Sequence, residues 1–245
     1  MKKIILILLC IFFTSNVLSQ EEKPESGRDN MVKLNVLPLT FGSISADYER
    51  VISHKTTIGL NLTLMPQRKP PMLGIFESII DDEAATNQLK NAKISTFSVS
   101  PQVRFYLGKS AYRGFYIAPF LRYASHSLEI PVEYIYNNQE ETVVIDGSIN
   151  AFSGGISFGT QWQLSEKIYL DWTIIGPLYG GHKGTLSGQK SLTSEEVHEV
   201  EKALNDFEGL PYVDYTHEVN NDGVTIKTKG PWAGLRIALA LGYRF

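Results

Sequence analysis

The chain has a single cysteine in its 245 residues, Cys10, and it falls inside an apolar run near the start. A mature chain without that run can form no disulfide. No segment reaches the roughly eighteen consecutive apolar residues that a membrane-spanning helix needs. The formal net charge of −3 excludes a strongly basic nucleic-acid binder. Histidine is scarce, at five residues, and no Cys, His or carboxylate grouping has the spacing of a zinc site or a calcium loop. Gly154-Gly155 and Gly180-Gly181 do not form a phosphate-cradling loop; crowding or turning explains glycine there. The sequence therefore calls for no cofactor and no metal, and catalytic residues are expected to be none.

What is present begins with Met1-Lys2-Lys3, a short cationic start, followed by the unbroken apolar run Ile4 to Phe13. Small and polar residues up to Gln20 then precede Glu21-Glu22. This order predicts a secretory signal peptide over 1–20, too short to span a bilayer. Leu9 stands before Cys10 where a lipid-anchor signal would place a small residue, so an acyl anchor is not expected. Residues 21–30 are polar and aperiodic and predict a flexible periplasmic leader. Residues 31–245 predict one domain.

That domain alternates. In Leu235-Arg236-Ile237-Ala238-Leu239-Ala240-Leu241-Gly242-Tyr243-Arg244-Phe245, large apolar side chains fill every odd position, with small or cationic ones between. Successive strand residues point to opposite faces, so one face is greasy and the other carries Arg236 and Arg244. The same pattern recurs in Val32–Val36, Ile44–Glu49, Ile58–Leu64, Phe97–Leu107, Phe115–Tyr123, Phe152–Trp162 and Leu170–Ile174. A soluble barrel turns its greasy face inward, whereas an outer-membrane barrel turns it toward lipid and lines its lumen with polar groups. A secreted chain without helical spans can cross a membrane only as a closed barrel. Connections at 53–56, 108–113 and 165–167 are short, while those at 66–93, 127–147 and 179–228 are expected to be long outer loops. An even count of about eight strands keeps both termini in the periplasm. Tyr48, Phe105, Phe115, Trp162, Tyr243 and Phe245 fall near the short turns, and Phe41, Phe97, Tyr123, Phe152 and Trp232 near the long ones. Two interfacial belts would place aromatics this way.

Five segments carry a family resemblance: Ser45-Ala46-Asp47-Tyr48-Glu49-Arg50, Gly114 to Tyr123, Tyr169-Leu170-Asp171-Trp172, Gly176-Pro177-Leu178-Tyr179-Gly180, and Lys229-Gly230-Pro231-Trp232-Ala233-Gly234. Together they resemble a functionally uncharacterised family of small outer-membrane β-barrel proteins of Bacteroidota, OmpA/OmpX-like in type. The resemblance implies fold and location but no activity. The last strand departs from the general assembly signal, having Ala240 where glycine is usual.

Lys33, Asp47, Glu49, Arg104, Asp171 and Arg244 should face the lumen near the periplasmic end, with Arg122 and Arg236 higher. Three of those six charges are of each sign, which predicts buried ion pairs in a barrel too narrow for an open pore. Thr193-Ser194-Glu195-Glu196 resembles a capping box, and Val197, Val200, Leu204 and Phe207 recur on one helical face. Ile75, Phe76, Ile79 and Ile80 suggest a second outer-loop helix. Such helices either form a lid over the barrel or offer a surface to an extracellular partner. Ser125-His126-Ser127 superficially resembles a lipid-trimming pair, but neighbouring strand positions face opposite ways.

The sequence thus predicts an all-β protein: an eight-stranded antiparallel up-and-down transmembrane β-barrel with short helices in its outer loops. Its expected role is structural or interactive. Its expected partners are outer-membrane lipids, lipopolysaccharide and the assembly machinery, and not nucleic acid. A membrane-embedded lipid-modifying enzyme or a narrow channel are the alternatives.

Overall fold

A computed structural model describes residues 29–71, 90–137, 139–205 and 214–245. The expected signal peptide, leader residues 21–28, the apolar Ile75, Phe76, Ile79 and Ile80, and Phe207 lie outside the described residues. The strands are β1 (Asn30–Asn35), β2 (Ile44–Ser53), β3 (Thr56–Arg68), β4 (Lys93–Tyr106), β5 (Gly114–Tyr136), β6 (Gln139–Gln163), β7 (Ile168–Gln189), β8 (Asp214–Asn220) and β9 (Gly223–Arg244). Among the described residues, the helices α1 (Leu37–Thr40) and α2 (Ser194–Asn205) lie between them.

All pairings are antiparallel, in the order β1-β2-β3-β4-β5-β6-β7-β9-β8, and β1 also pairs with β9. Among the described residues, eight strands therefore close a ring, and β8 lies outside it as an extra strand against the upper part of β9. Closure leaves the ring itself without an open edge. Reciprocal bonds between Asn30 and Phe245 (3.2 and 2.9 Å) bring the two ends of the domain together on one rim.

That rim is compact. His54 and Lys55 turn β2 into β3, and the carbonyl oxygens of both accept bonds from Ala111 and Tyr106 at the neighbouring turn (2.7 and 2.8 Å). The opposite rim is uneven. The wall formed by β1, β2 and β3 is low, whereas β5, β6, β7 and β9 run on for about ten residues more.

This extension corrects two expectations. Residues 127–147 are not a long loop but the continuation of the β5–β6 hairpin, in register up to Tyr136↔Gln139. Within 179–228 the walls likewise continue, with β7 reaching Gln189, β9 starting at Gly223 and β8 added between them in sequence. The physical reason is a change in what the strands face. Phe115, Leu121 and Tyr123 point out, but Leu128, Ile130, Val132 and Tyr134 point in. Leu128, Ile130, Val132 and Tyr134 join Val143, Ile145, Leu186 and Val224 in an enclosed apolar core beneath α2.

Lower down the polarity is reversed. Leu235 is 65% exposed, and Leu64, Leu121, Phe152, Ile156 and Leu241 are exposed with it, while Glu49 is 0% and Arg104 2% exposed on the inside. A bulge at Thr173/Gly176 turns Ile174 and Ile175 both outward and lets β7 keep its phase with β9. Phe41, Phe97, Tyr123 and Phe152 ring the upper edge of this apolar band, and Tyr48, Phe105, Phe115, Trp162, Tyr243 and Phe245 its lower edge. Trp232 corrects the belt assignment: it points inward, its ring 5.3 Å from that of His126 and 5.5 Å from that of His182.

Candidate functional site in the barrel lumen

Alternation places every second residue of each strand inside the ring, and the lower lumen collects its charges from strands that are not neighbours. Lys33 on β1 reaches Asp171 on β7 at 2.5 Å and also pairs with Glu49 on β2. Arg104 on β4 meets Asp171 at 2.5 Å and Glu49 at 3.6 Å. Two cations and two carboxylates thus form one buried square. Neutral groups complete it. The Tyr116 hydroxyl donates to Asp171 (2.8 Å) beside Thr173, Tyr106 Oη lies 2.8 Å from both Glu49 and Gln161, and Thr57 donates to Glu49. Burial of charge is tolerated only with such extensive pairing, although the buried Arg104 Nε is left without a hydrogen-bond partner among the described residues.

One level higher, Asp47 accepts from Arg236 (3.4 Å) and Asn61 (3.0 Å), and Arg236 donates to Gln102 (3.1 Å). Arg122 stands above this layer, and its buried Nε has no hydrogen-bond partner among the described residues. Arg244 sits at the bottom rim, 3.2 Å from the Tyr169 hydroxyl and with its guanidinium over the Tyr112 ring. Of the eight sequence-predicted lumen charges, the fold brings four into one network and two into a second, with Arg122 and Arg244 at separate levels.

Beneath the charged square lies an aromatic floor. Tyr106, Tyr112, Tyr116 and Tyr169 are all buried, with Met31 and Ala111 among them. Tyr112 comes from the turn between β4 and β5 rather than from a strand. It adopts a left-handed backbone (φ 67°), and its hydroxyl donates toward the carbonyls of Asp29 (2.9 Å) and Glu49 (3.1 Å). A non-glycine residue in that conformation is uncommon, so surrounding contacts must hold it there. Small residues on the facing wall make room: a Cβ on Gly159 would fall 2.4 Å from the Tyr116 phenol. Tyr112 had no signal in strand alternation, since a turn has none. The lumen is filled by side chains at this end, as barrels of this strand number usually are.

Above the apolar band, α2 closes the extended wall. Thr193 N donates to Glu196 (2.9 Å) and Glu196 N to Thr193 Oγ1 (3.3 Å), the two reciprocal bonds of a capping box. Tyr134 on β5 donates to the same carboxylate (3.0 Å). Val197, Val200 and Leu204 pack on the apolar core, so these three residues of the predicted face cover the chain's own fold. His126 faces inward and is bonded to Thr96 (2.9 Å). Among the described residues no group of three or more His, Cys, Asp or Glu could hold a metal ion.

Comparison with known proteins gives a family. Residues 4–182 match the family described as Protein of unknown function (DUF3575). The chain belongs to that family. No curated protein matches this member of the DUF3575 family. Among solved structures it is similar to the N-terminal β-barrel domain of OprF from Pseudomonas aeruginosa, at 8% identity and a TM-score of 0.29, covering 89% of this chain and 98% of that one. It is also similar to the translocator domain of the autotransporter NalP from Neisseria meningitidis, at 9% identity and a TM-score of 0.27, covering 89% and 88%. The ring closure between β1 and β9, not these distant likenesses, defines the fold.

Proposed function

We propose that this DUF3575 protein is an eight-stranded, OmpA/OmpX-like barrel of the outer membrane, delivered there after signal-peptide cleavage, with a structural or surface-interaction role. The observation that carries the reading is the inverted polarity of the lower barrel: an exposed apolar girdle surrounds a buried square of Lys33, Glu49, Arg104 and Asp171. A bilayer stabilises the girdle that water would oppose, and the ion network ties together strands far apart in sequence. The compact rim with both ends of the domain faces the periplasm, and the tall wall under α2 stands outside the cell. A packed lumen supports a rigid peg rather than a conduit. The family resemblance to small barrels of Bacteroidota agrees with this placement.

Electrophoretic mobility of the native outer-membrane fraction, heated and unheated, tests the reading, with protease added to intact cells. A heat-dependent shift, with cleavage confined to the segments beyond the apolar girdle, is the expected result. A periplasmic protein without a shift would overturn it.

A further inference from the structure

The outward face of the tall wall carries a second arrangement that the lumen does not explain. Its register places side chains in horizontal rows. The top of the apolar girdle is the row Tyr123, Phe152, Gly181, Pro231. Immediately above it Asn150, Lys183 and Lys229 stand side by side, with Asp214 of β8 opposite Lys229 at the far end of the row, and the next row holds Ser148, Thr185, Lys227 and Thr216. Above these comes an acidic row of Glu129, Asp146 and Glu218.

Lys183 and Lys229 are direct cross-strand partners, and like charges so placed repel each other. Both are exposed, and neither has an ion pair among the described residues. Below them, Gly181 leaves a notch between Phe152 and Pro231, where an added Cβ would meet only one atom, the Gly230 carbonyl oxygen at 3.5 Å. The result is an outward groove of about 580 Å³ whose floor is aromatic and whose upper lip is cationic. Tyr123 donates to Asn150 Oδ1 (2.9 Å), which fixes the ring against the lip.

We infer that this groove binds a phosphorylated glycolipid of the outer leaflet, of the lipid A class, with a phosphate between Lys183 and Lys229. The inference rests on the membrane reading above and names a partner for it. A phosphate at that point relieves the lysine repulsion, and an acyl chain descends through the Gly181 notch onto Phe152. The second cationic row, at Lys227, and the amide and hydroxyls of Asn150, Ser148 and Thr185 match a headgroup that is both sugar and phosphate. A glycerophospholipid headgroup would use only one row. The acidic row above, and Asp214 at the far end of the lysine row, disfavour an anion there and confine it between Lys183 and Lys229.

The test uses the full mature chain in phosphatidylcholine nanodiscs doped with bisphosphorylated lipid A, dephosphorylated lipid A or phosphatidylglycerol. Retained lipid is counted by native mass spectrometry. The chain should retain the bisphosphorylated form, and Lys183→Gln/Lys229→Gln should lower retention by about thirtyfold, the effect of two lysines beside a charged lipid surface. Lys55→Gln/Lys109→Gln, which makes the same charge change at the opposite rim, should leave retention unaltered. Equal retention by the groove variant, or of the dephosphorylated form, would overturn the site. Equal retention of phosphatidylglycerol would overturn the glycolipid as occupant. Insertion without lipid selectivity defeats only this inference, whereas failure of the unheated chain to run as a folded barrel defeats the membrane reading and the site with it.

Discussion

Lys33 and Asp171 meet at 2.5 Å although 138 residues and one intervening strand separate them. Because Asp171 also receives Arg104 and Tyr116, it is the hub of the lumen network. Asp171→Ala leaves two buried cations sharing Glu49 alone, and breaking a buried pair in this way costs about 3–5 kcal/mol. The barrel-to-unfolded transition in urea, followed by gel shift, should move to lower urea. Replacing Lys33, Glu49, Arg104 and Asp171 together with apolar residues of similar volume should recover most of that loss. If the single variant unfolds where the parent does, the network is not a structural tie.

Tyr112 closes the floor from a turn, and its φ of 67° suits glycine better than tyrosine. Tyr112→Gly therefore removes the ring while relaxing the backbone. In planar bilayers the parent should show no steps above the lipid baseline, and Tyr112→Gly/Tyr169→Ala should admit small ions. A parent that already conducts would contradict a lumen packed at this end.

Much of the lower barrel was legible in the sequence because one rule, alternation with the apolar side out, holds across Val32 to Leu64, Phe97 to Tyr123, Phe152 to Tyr179 and Leu235 to Phe245. The tall wall was not legible, because there the rule changes sign. At Ala124 to Ser127 the apolar phase moves from odd to even residues, so strand continuity looks like the end of a strand, and the glutamates of Leu128 to Tyr134 look like a solvated loop. The capping box at Thr193 and Glu196 was readable because it is local. Tyr112 and the His126–Trp232–His182 stack were not, since each depends on how distant strands converge.

The α2 cap gives a pH dependence. Hydrogen bonds from the Thr193 backbone and side chain hold the Glu196 carboxyl below its ordinary value of 4.5. A lowered folded-state pKa means that this contribution to stability is fully present above the ordinary carboxylate range. It is lost as pH falls through the folded value. Proteolytic nicking within 190–222 by an acid-active protease should therefore rise below about pH 4.5, ahead of any loss of the heat-dependent gel shift. Thr193→Ala should loosen the same segment by about 1 kcal/mol at neutral pH. Equal nicking at both pH values would show that the cap does not hold the lid.

The three tryptophans discriminate inside from outside. Trp162 and Trp172 face out with their rings 6.5 Å apart, while Trp232 lies between two inward histidines. Variants that retain one tryptophan each, reconstituted in brominated phospholipid, separate the cases because bromine quenches only rings within the acyl region. Trp162 and Trp172 should lose most of their emission, and Trp232 should keep most of its own. Strong quenching of Trp232 would return it to the lipid belt and place its strand a residue out of register, which would carry Lys229 inward as well. The measurement therefore tests the orientation of β9 on which both the lumen and the outward groove depend, since a slip of one residue exchanges its two faces.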